Sequence, residues 1–509
     1  MIIETLIGFT FVAALVTFLV PDEVANRVGA ALSLVPLVGT LWMWTQFDGS
    51  GNALTGGTLA FETQFDLLTL SGYQVQWFTG LDGISLPLVV LTAFLTTLAI
   101  VSAWTPIDTR QSQFYGLMLF MEANLLGMFT ALDFFVWFVF WEATLLPMYF
   151  LIGVWGGPRR KYAAIKFFVY TNVASLLMFV GFVALTFGGL GDSIDTLALP
   201  EVAMALNAGG NVSSFMGLAP DTLKLAAFLA MFVGFAVKVP VAPLHTWLPD
   251  AHVEAPTPAS VMLAGVLLKM GTYAMLRFNF TMLPDVASDL AILIAALGAF
   301  SVIYGAILAL AQEDLKRIVA YSSVSSMGYV LLGLIAFTEF GVAGATFQMI
   351  AHGLISGLMF MAVGVIYNTT HTRMVGDMSG LADRMPVTVG ILIAGAFGYM
   401  GLPLMAGFAG EYFIFVGSFH STVIPSAPLF TAAAMFGIVI VAGYLLLAMQ
   451  RTLFGPFSLD ADYEVGPAPF HDVAPLAVLL LAVIALGVAP DLFLDMIQNA
   501  IAPLVGGGA

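Results

Sequence analysis

The chain has 509 residues, 60% of them apolar and 9% charged, with a net charge of −16 and no cysteine. Soluble domains carry roughly 25% charged residues, so the composition excludes an ordinary water-soluble enzyme. The acidic balance gives no footing for nucleic acid, and the missing thiols exclude disulfides and thiolate-held iron–sulfur clusters.

The N-terminus, "MIIETLIGFTFVAALVTFLV", has no basic n-region and no small-residue cleavage site, so residues 2–20 are expected to stay as a first membrane span rather than leave as a signal peptide. Apolar runs of about 20 residues, enough to cross roughly 30 Å of hydrocarbon, recur along the chain. They predict thirteen more spans at 27–46, 82–103, 113–131, 133–155, 162–188, 222–247, 257–279, 288–311, 316–336, 342–367, 387–418, 427–454 and 472–493. The runs are continuous rather than alternating, which selects helices over a closed barrel. Two connections are long. Residues 47–81 are Gly- and Thr-rich with a period-2 stretch, "YQVQWF", that suggests a short hairpin, and 189–221 reads as an acidic loop.

Basic residues test this count. With loops assigned alternately, one side receives Arg27, Arg110, Arg159, Arg160, Lys161, Lys166, Lys316, Arg317, Arg373, Arg384 and Arg451, the other only Lys224 and Arg277. Such asymmetry is expected of correctly counted spans. It predicts a multi-pass membrane protein with both termini facing outward, away from the cytoplasm or matrix.

A charge at mid-bilayer costs at least about 2.5–3.5 kcal/mol on insertion scales, so ionisable residues inside spans are candidate functional groups. Glu142 lies within "FFVWFVFWEATLLPMYF" and Lys238 just before the helix-breaking Pro240 in "GFAVKVPVAPLHTWLPDAHVEAPTP". Lys269 is central in "SVMLAGVLLKMGTYAMLRF", and Glu411 follows the Gly- and Pro-interrupted stretch "GYMGLPLMAGFAG". His245 and His352 add groups suited to carrying protons near pH 7. Broken helices at membrane depth are tolerated where they line a wet cavity, and paired breaks point to a transport site. The breaks in spans 7 and 12 are five spans apart. They suggest two inverted five-helix repeats, 113–279 and 288–454, preceded by residues 1–112 and followed by 455–509 with span 14. Neither a P-loop, nor a dinucleotide-binding glycine loop, nor an H-E-x-x-H motif is present, so this chain is not expected to transfer electrons.

These segments carry a resemblance. "FVFWEATLLPMYFLIGVWGG", "KVPVAPLHTWLPDAHVEAPTPASVMLAGVLLKMGTYAMLRF", "EDLKRIVAYSSVSSMGYVLLG" and "MPVTVGILIAGAFGYMGLPLMAGFAGEYFIFVGSF" resemble the antiporter-like membrane subunits of respiratory complex I, the proton-pumping NADH:quinone oxidoreductase. Glu411 in span 12, where sister types carry lysine, and the end of the chain soon after span 14 point to the M type, counterpart of mitochondrial NADH dehydrogenase subunit 4. The resemblance implies an all-α fold of fourteen spans with broken helices 7 and 12, and a proton-translocating role. It implies that Glu142 and Lys238 form a gating ion pair, that Lys269 is a central relay and Glu411 an outlet carrier, and that His245 and His352 lie on the polar axis between them. It also implies no cofactor in this chain, with flavin mononucleotide, iron–sulfur clusters and quinone in partner subunits. The partners implied are other complex I membrane subunits, neighbouring antiporter-like ones above all, and lipids, with no nucleic acid. A multi-subunit Na⁺/H⁺ antiporter or a hydrogenase-linked membrane arm is the alternative, and a passive spacer a third reading.

Overall fold

A computed structural model describes residues 1–49, 51–207, 212–460 and 465–505. Among the described residues, twelve helices are long and apolar enough to cross a membrane. Gln111–Thr130 supplies span 4, and the pair Pro386–Tyr399 and Ala406–Phe419 supplies span 12, which completes the fourteen segments.

Burial sorts these helices into a centre and a rim. The most apolar 18-residue stretches of span 8, within Thr257–Thr281, and of span 11, within Glu339–Thr370, are 100% buried within the chain, whereas those of span 2, within Asp22–Thr45, and span 14, within Phe470–Val488, are 28% and 33% buried. Apolar side chains offer no net drive for helix association inside lipid, so close approach of backbones must supply it. Glycines allow that approach. A Cβ on Gly328 of span 10 would lie 2.6 Å from the Gly298 carbonyl of span 9, and one on Gly353 of span 11 would lie 2.8 Å from the Gly265 carbonyl of span 8.

Spans 5, 7, 8 and 12 are irregular near the buried ionisable residues, and span 6 ends in a π-helical segment, Ala184–Leu190. Span 5 divides at Thr144 into Phe134–Ala143 and Leu145–Trp155, because Pro147 has no N–H for the Ala143 carbonyl. Span 7 runs from Pro220 to Lys238, turns through a segment containing Pro240 and Pro243, and resumes as Leu248–Glu254. Span 8 contains two π-helical segments, Leu263–Leu267 and Met275–Thr281. Span 12 breaks between Tyr399 and Ala406 around Gly401 and Pro403.

The first long connection forms the suggested hairpin, with β1, Ala60–Leu70, antiparallel to β2, Tyr73–Leu81, and Phe65 opposite Trp77. The second is not simply a loop, since it holds the short helix Leu199–Asn207. The region after span 13 also departs from the single expected helix. An amphipathic helix, Asp491–Val505, follows span 14 and buries Phe493, Leu494, Ile497 and Ile501.

Arg277 corrects the loop reading. It is only 2% exposed and donates through Nη2 to both Asp82 oxygens at 2.6 Å. Asp82 caps span 3 by accepting from the Ile84 and Ser85 amides, Arg277 Nη1 reaches Asn52, and Asn52 holds the Ala500 carbonyl. One buried ion pair thus ties span 3, span 8, the first long connection and the last helix together.

Candidate functional site

Glu142 is the next-to-last residue of the first half of span 5, where the helix opens. Its Oε2 accepts from Asn172 Nδ2 at 3.1 Å, and its Oε1 has no partner among the described residues. Lys238 ends the first half of span 7 and is 2% exposed. Its Nζ has no hydrogen-bond partner among the described residues and stands over aromatic faces, 5.3 Å from the Trp141 ring centre and 5.9 Å from that of Phe167. Glu142 and Lys238 act on each other through their charges without closing into an ion pair. Ring faces stabilise an ammonium by cation–π attraction, so Lys238 has a resting place away from the carboxylate.

The turn after Lys238 is held by Trp247 Nε1, which donates to the Val237 carbonyl at 2.9 Å, and by Ser301 Oγ of span 9, which accepts from the Ala242 amide at 2.9 Å. His245 lies in this turn, 3% exposed, with its ring 5.5 Å from Tyr304 and 6.1 Å from Tyr321. His252, on the second half of span 7, is fully buried and stacks on Phe360 at 4.4 Å. Neither of its ring nitrogens has a partner among the described residues.

Lys269 and His352 meet at the centre. Lys269 is fully buried, and its Nζ lies 2.6 Å from His352 Nδ1. The same ammonium donates to the Ala264 carbonyl within the π-helical segment just before it. Such segments free a carbonyl from the helical ladder and are frequent at functional sites. The His352 ring is 5.8 Å from the Tyr399 ring, which ends the first half of span 12.

Glu411 begins the second turn of the other half of span 12. It is 4% exposed, and its Oε2 has no partner among the described residues. Gly401 shapes its surroundings: φ is +62°, and a Cβ there would stand 2.4 Å from Glu411 Oε2. Tyr329 and Tyr444 are within electrostatic range of the carboxyl, and Tyr444 donates to Ser322 Oγ at 2.6 Å.

At the end of the fold opposite Arg277, bases gather with acids. Lys166 Nζ meets Asp250 at 2.7 Å, Arg317 reaches Asp250 at 3.6 Å, and Arg373 meets Asp314 at 2.5 Å. Lys316 is 3% exposed and donates to the Ala255 carbonyl at 2.8 Å. Broken, partly unwound helices holding buried acids and bases in a central layer are the architecture of an ion-translocating membrane subunit. The family profile described as "NADH:quinone oxidoreductase/Mrp antiporter, TM" matches residues 131–440. The chain belongs to this family.

Other members place it more closely. The NAD(P)H-quinone oxidoreductase chain 4 3 of Trichormus variabilis is 38% identical over 500 residues, 96% of this chain and 88% of that protein. The NADH-quinone oxidoreductase subunit M of Rhodobacter capsulatus is 41% identical over 437 residues, 84% of this chain and 81% of that one. Among solved structures, a chain of respiratory complex I from Thermus thermophilus superposes with a TM-score of 0.85 at 28% identity, covering 100% of both chains.

Of the six residues expected in the site of this antiporter-family chain, Lys269 and His352 are brought into contact and Glu142 and Lys238 are brought near. Glu411 stands by itself across the Tyr399 turn. His245 faces tyrosines of spans 9 and 10 rather than Lys269. Prolines interrupt the seven-residue spacing of Lys238, His245 and His252, so the sequence does not select His252 for the site, yet it lies within electrostatic range of both Lys316 and Lys269. Its place seven residues after His245 was the available signal. Lys316, counted among the loop bases by alternate assignment, is instead buried at the start of span 10.

Proposed function

We propose that this chain is the M-type, or chain 4, membrane subunit of a bacterial proton-pumping NADH:quinone oxidoreductase, and that it moves protons along its buried acids and bases. The observation that carries this reading is the Lys269–His352 contact between the buried central stretches of spans 8 and 11, flanked by the breaks in spans 7 and 12. In this reading Glu142 and Lys238 are the gate. A closed pair stabilises the ammonium. Opening it removes that stabilisation and makes the proton transferable to Lys269 and His352, with His245 accessory to the path, and onward to Glu411. Moving one charge against 100 mV takes about 2.3 kcal/mol. A hundredfold change in proton affinity is about 2.7 kcal/mol, so opening one pair is of adequate size.

Residues 113–279 and 288–454 act in this proposal as two inverted five-span units. The cluster of Lys166, Lys316, Arg317 and Arg373 faces the cytoplasm, which puts both termini on the periplasmic side of the inner membrane. Flavin, iron–sulfur clusters and quinone work in partner subunits, and neighbouring antiporter-like subunits deliver the signal to Glu142. The deciding experiment is proton pumping by the whole complex in proteoliposomes. Lys269→Ala should assemble and lose redox-coupled pumping; pumping at the wild-type ratio by the assembled variant would remove Lys269 from the path.

A further inference from the structure

Span 4 carries an ionisable group that this path does not use. Glu122 is the twelfth residue of the 20-residue helix Gln111–Thr130. At 1.5 Å per residue it lies about 16 Å along the helix, at mid-depth. It is fully buried, and neither carboxyl oxygen has a hydrogen-bond partner among the described residues.

Tyr115 lies seven residues earlier and therefore on the same helical face, two turns closer to the end that begins at Gln111. It too is fully buried, and its hydroxyl has no partner among the described residues. Gly29 of span 2 lets Tyr115 approach, since a Cβ there would be 3.1 Å from Tyr115 Cβ. At the helix start, Ser112 bonds Asp22 through both its amide and its hydroxyl. Polar groups thus step inward from Ser112 to Tyr115 to Glu122.

The charges on the packing elements do not serve Glu122. Spans 1, 2, 3 and 5 surround span 4. Glu4 is in the first turn of span 1 and bonds Thr79. Asp22, Glu23 and Arg27 lie in the first two turns of span 2, and Asp82 ahead of span 3 is taken by Arg277. Asp133 caps span 5, and Glu142 is bonded by Asn172. No ionised carboxylate is stable at such depth without a base or donors; a protonated one carries no charge. A metal cation would need several oxygen ligands. The buried hydroxyls of Thr10, Thr17, Ser33 and Thr97 on the neighbouring spans are already committed to backbone carbonyls.

We propose that Glu122 is a second proton-binding site of this chain, a carboxylic acid in the N-terminal bundle separate from the Glu142, Lys238, Lys269 and Glu411 path. This site stands or falls independently of the function proposed above. Dicyclohexylcarbodiimide tests it in the intact complex. The acid passes its proton to a diimide nitrogen, the carboxylate oxygen adds to the central carbon, and an O-to-N acyl shift leaves a stable N-acylurea. Mass spectrometry should find that adduct on Glu122, unaffected by excess Na⁺ and absent in Glu122→Gln. Protection by Na⁺ would overturn the proposal in favour of a cation site. Infrared difference spectra of the complex decide if the reagent fails to reach the site. Glu122→Gln should lose a carboxylic C=O band that shifts in D₂O; losing carboxylate bands alone overturns the proposal.

Discussion

Lys269 Nζ and His352 Nδ1 lie 2.6 Å apart and join spans 8 and 11, whose most apolar 18-residue stretches are buried throughout. With the ammonium as donor, Nδ1 is the acceptor, and the proton of a neutral ring sits on Nε2. Nε2 has no partner among the described residues. One ring can therefore take a proton on one nitrogen and release another from the opposite nitrogen.

This geometry sets the first prediction. His352→Ala should lower coupled turnover by about tenfold or more, at or below the low end of what a positioned proton carrier supplies because water can substitute in part. His352→Gln, which cannot pass a proton through its side chain, should be no better. Proton-to-electron ratios in proteoliposomes, with assembly checked by native gels, measure this. Unchanged ratios in both variants would take His352 out of the path.

The open Glu142–Lys238 arrangement sets the second. Glu142→Ala and Lys238→Ala should each abolish most redox-coupled pumping while the complex still assembles. Asn172→Ala removes the donor that holds Glu142 Oε2. A hydrogen bond to a charged group is worth about 1.5–3 kcal/mol, so this variant should change turnover by about tenfold or more without abolishing it. A silent Asn172→Ala would mean that its hydrogen bond does not set the gate.

Gly401 provides the third. Its φ of +62° and the approach of Glu411 Oε2 both oppose a side chain. Gly401→Ala should destabilise the chain by about 1–3 kcal/mol and displace the Glu411 carboxyl, so that pumping falls along with thermal stability. Glu411→Gln should impair pumping with little loss of stability, and Glu411→Lys should retain part of it. Full pumping by Glu411→Gln would exclude the carboxyl from the path.

The fourth concerns the tether outside the path. Burial by itself would raise the Asp82 carboxyl, but the Arg277 guanidinium and the Ala53 and Ser85 amides outweigh it and hold the group below its ordinary value. A depressed carboxyl gives stability that is fully present above the unfolded value of about 3.9. That stability is lost as pH falls through the lower folded value. Thermal unfolding in detergent should therefore show no contribution from Asp82 to acid sensitivity between about pH 5 and neutrality. Asp82→Asn should cost about 3–5 kcal/mol, because it leaves Arg277 buried without its counter-charge. A variant as stable as wild type would show that water or Asn52 compensates.

The spans were legible in the sequence because the bilayer imposes a length and a composition on each one separately. The breaks at Pro240 and around Gly401 were legible for a similar reason, since a missing N–H or a positive φ is a local property. The π-helical segment ahead of Lys269 was not. "SVMLAGVLLKMG" has no proline, and the widening there depends on what span 8 meets on all sides.

Arg277 shows the same limit for charge. Its position at the end of a span is one-dimensional information, but its pairing depends on Asp82, 195 residues away in sequence. Sequence alone identified a polytopic helical membrane protein and placed Glu142, Lys238, Lys269, Glu411 and two histidines within its predicted spans. Only the tertiary structure settled that Lys269 meets His352, that His245 turns to Tyr304 and Tyr321, and that His252 stacks on Phe360. Hydropathy fixes how deep a residue sits, whereas its neighbour is fixed by helix rotation and by which backbones glycine allows to touch.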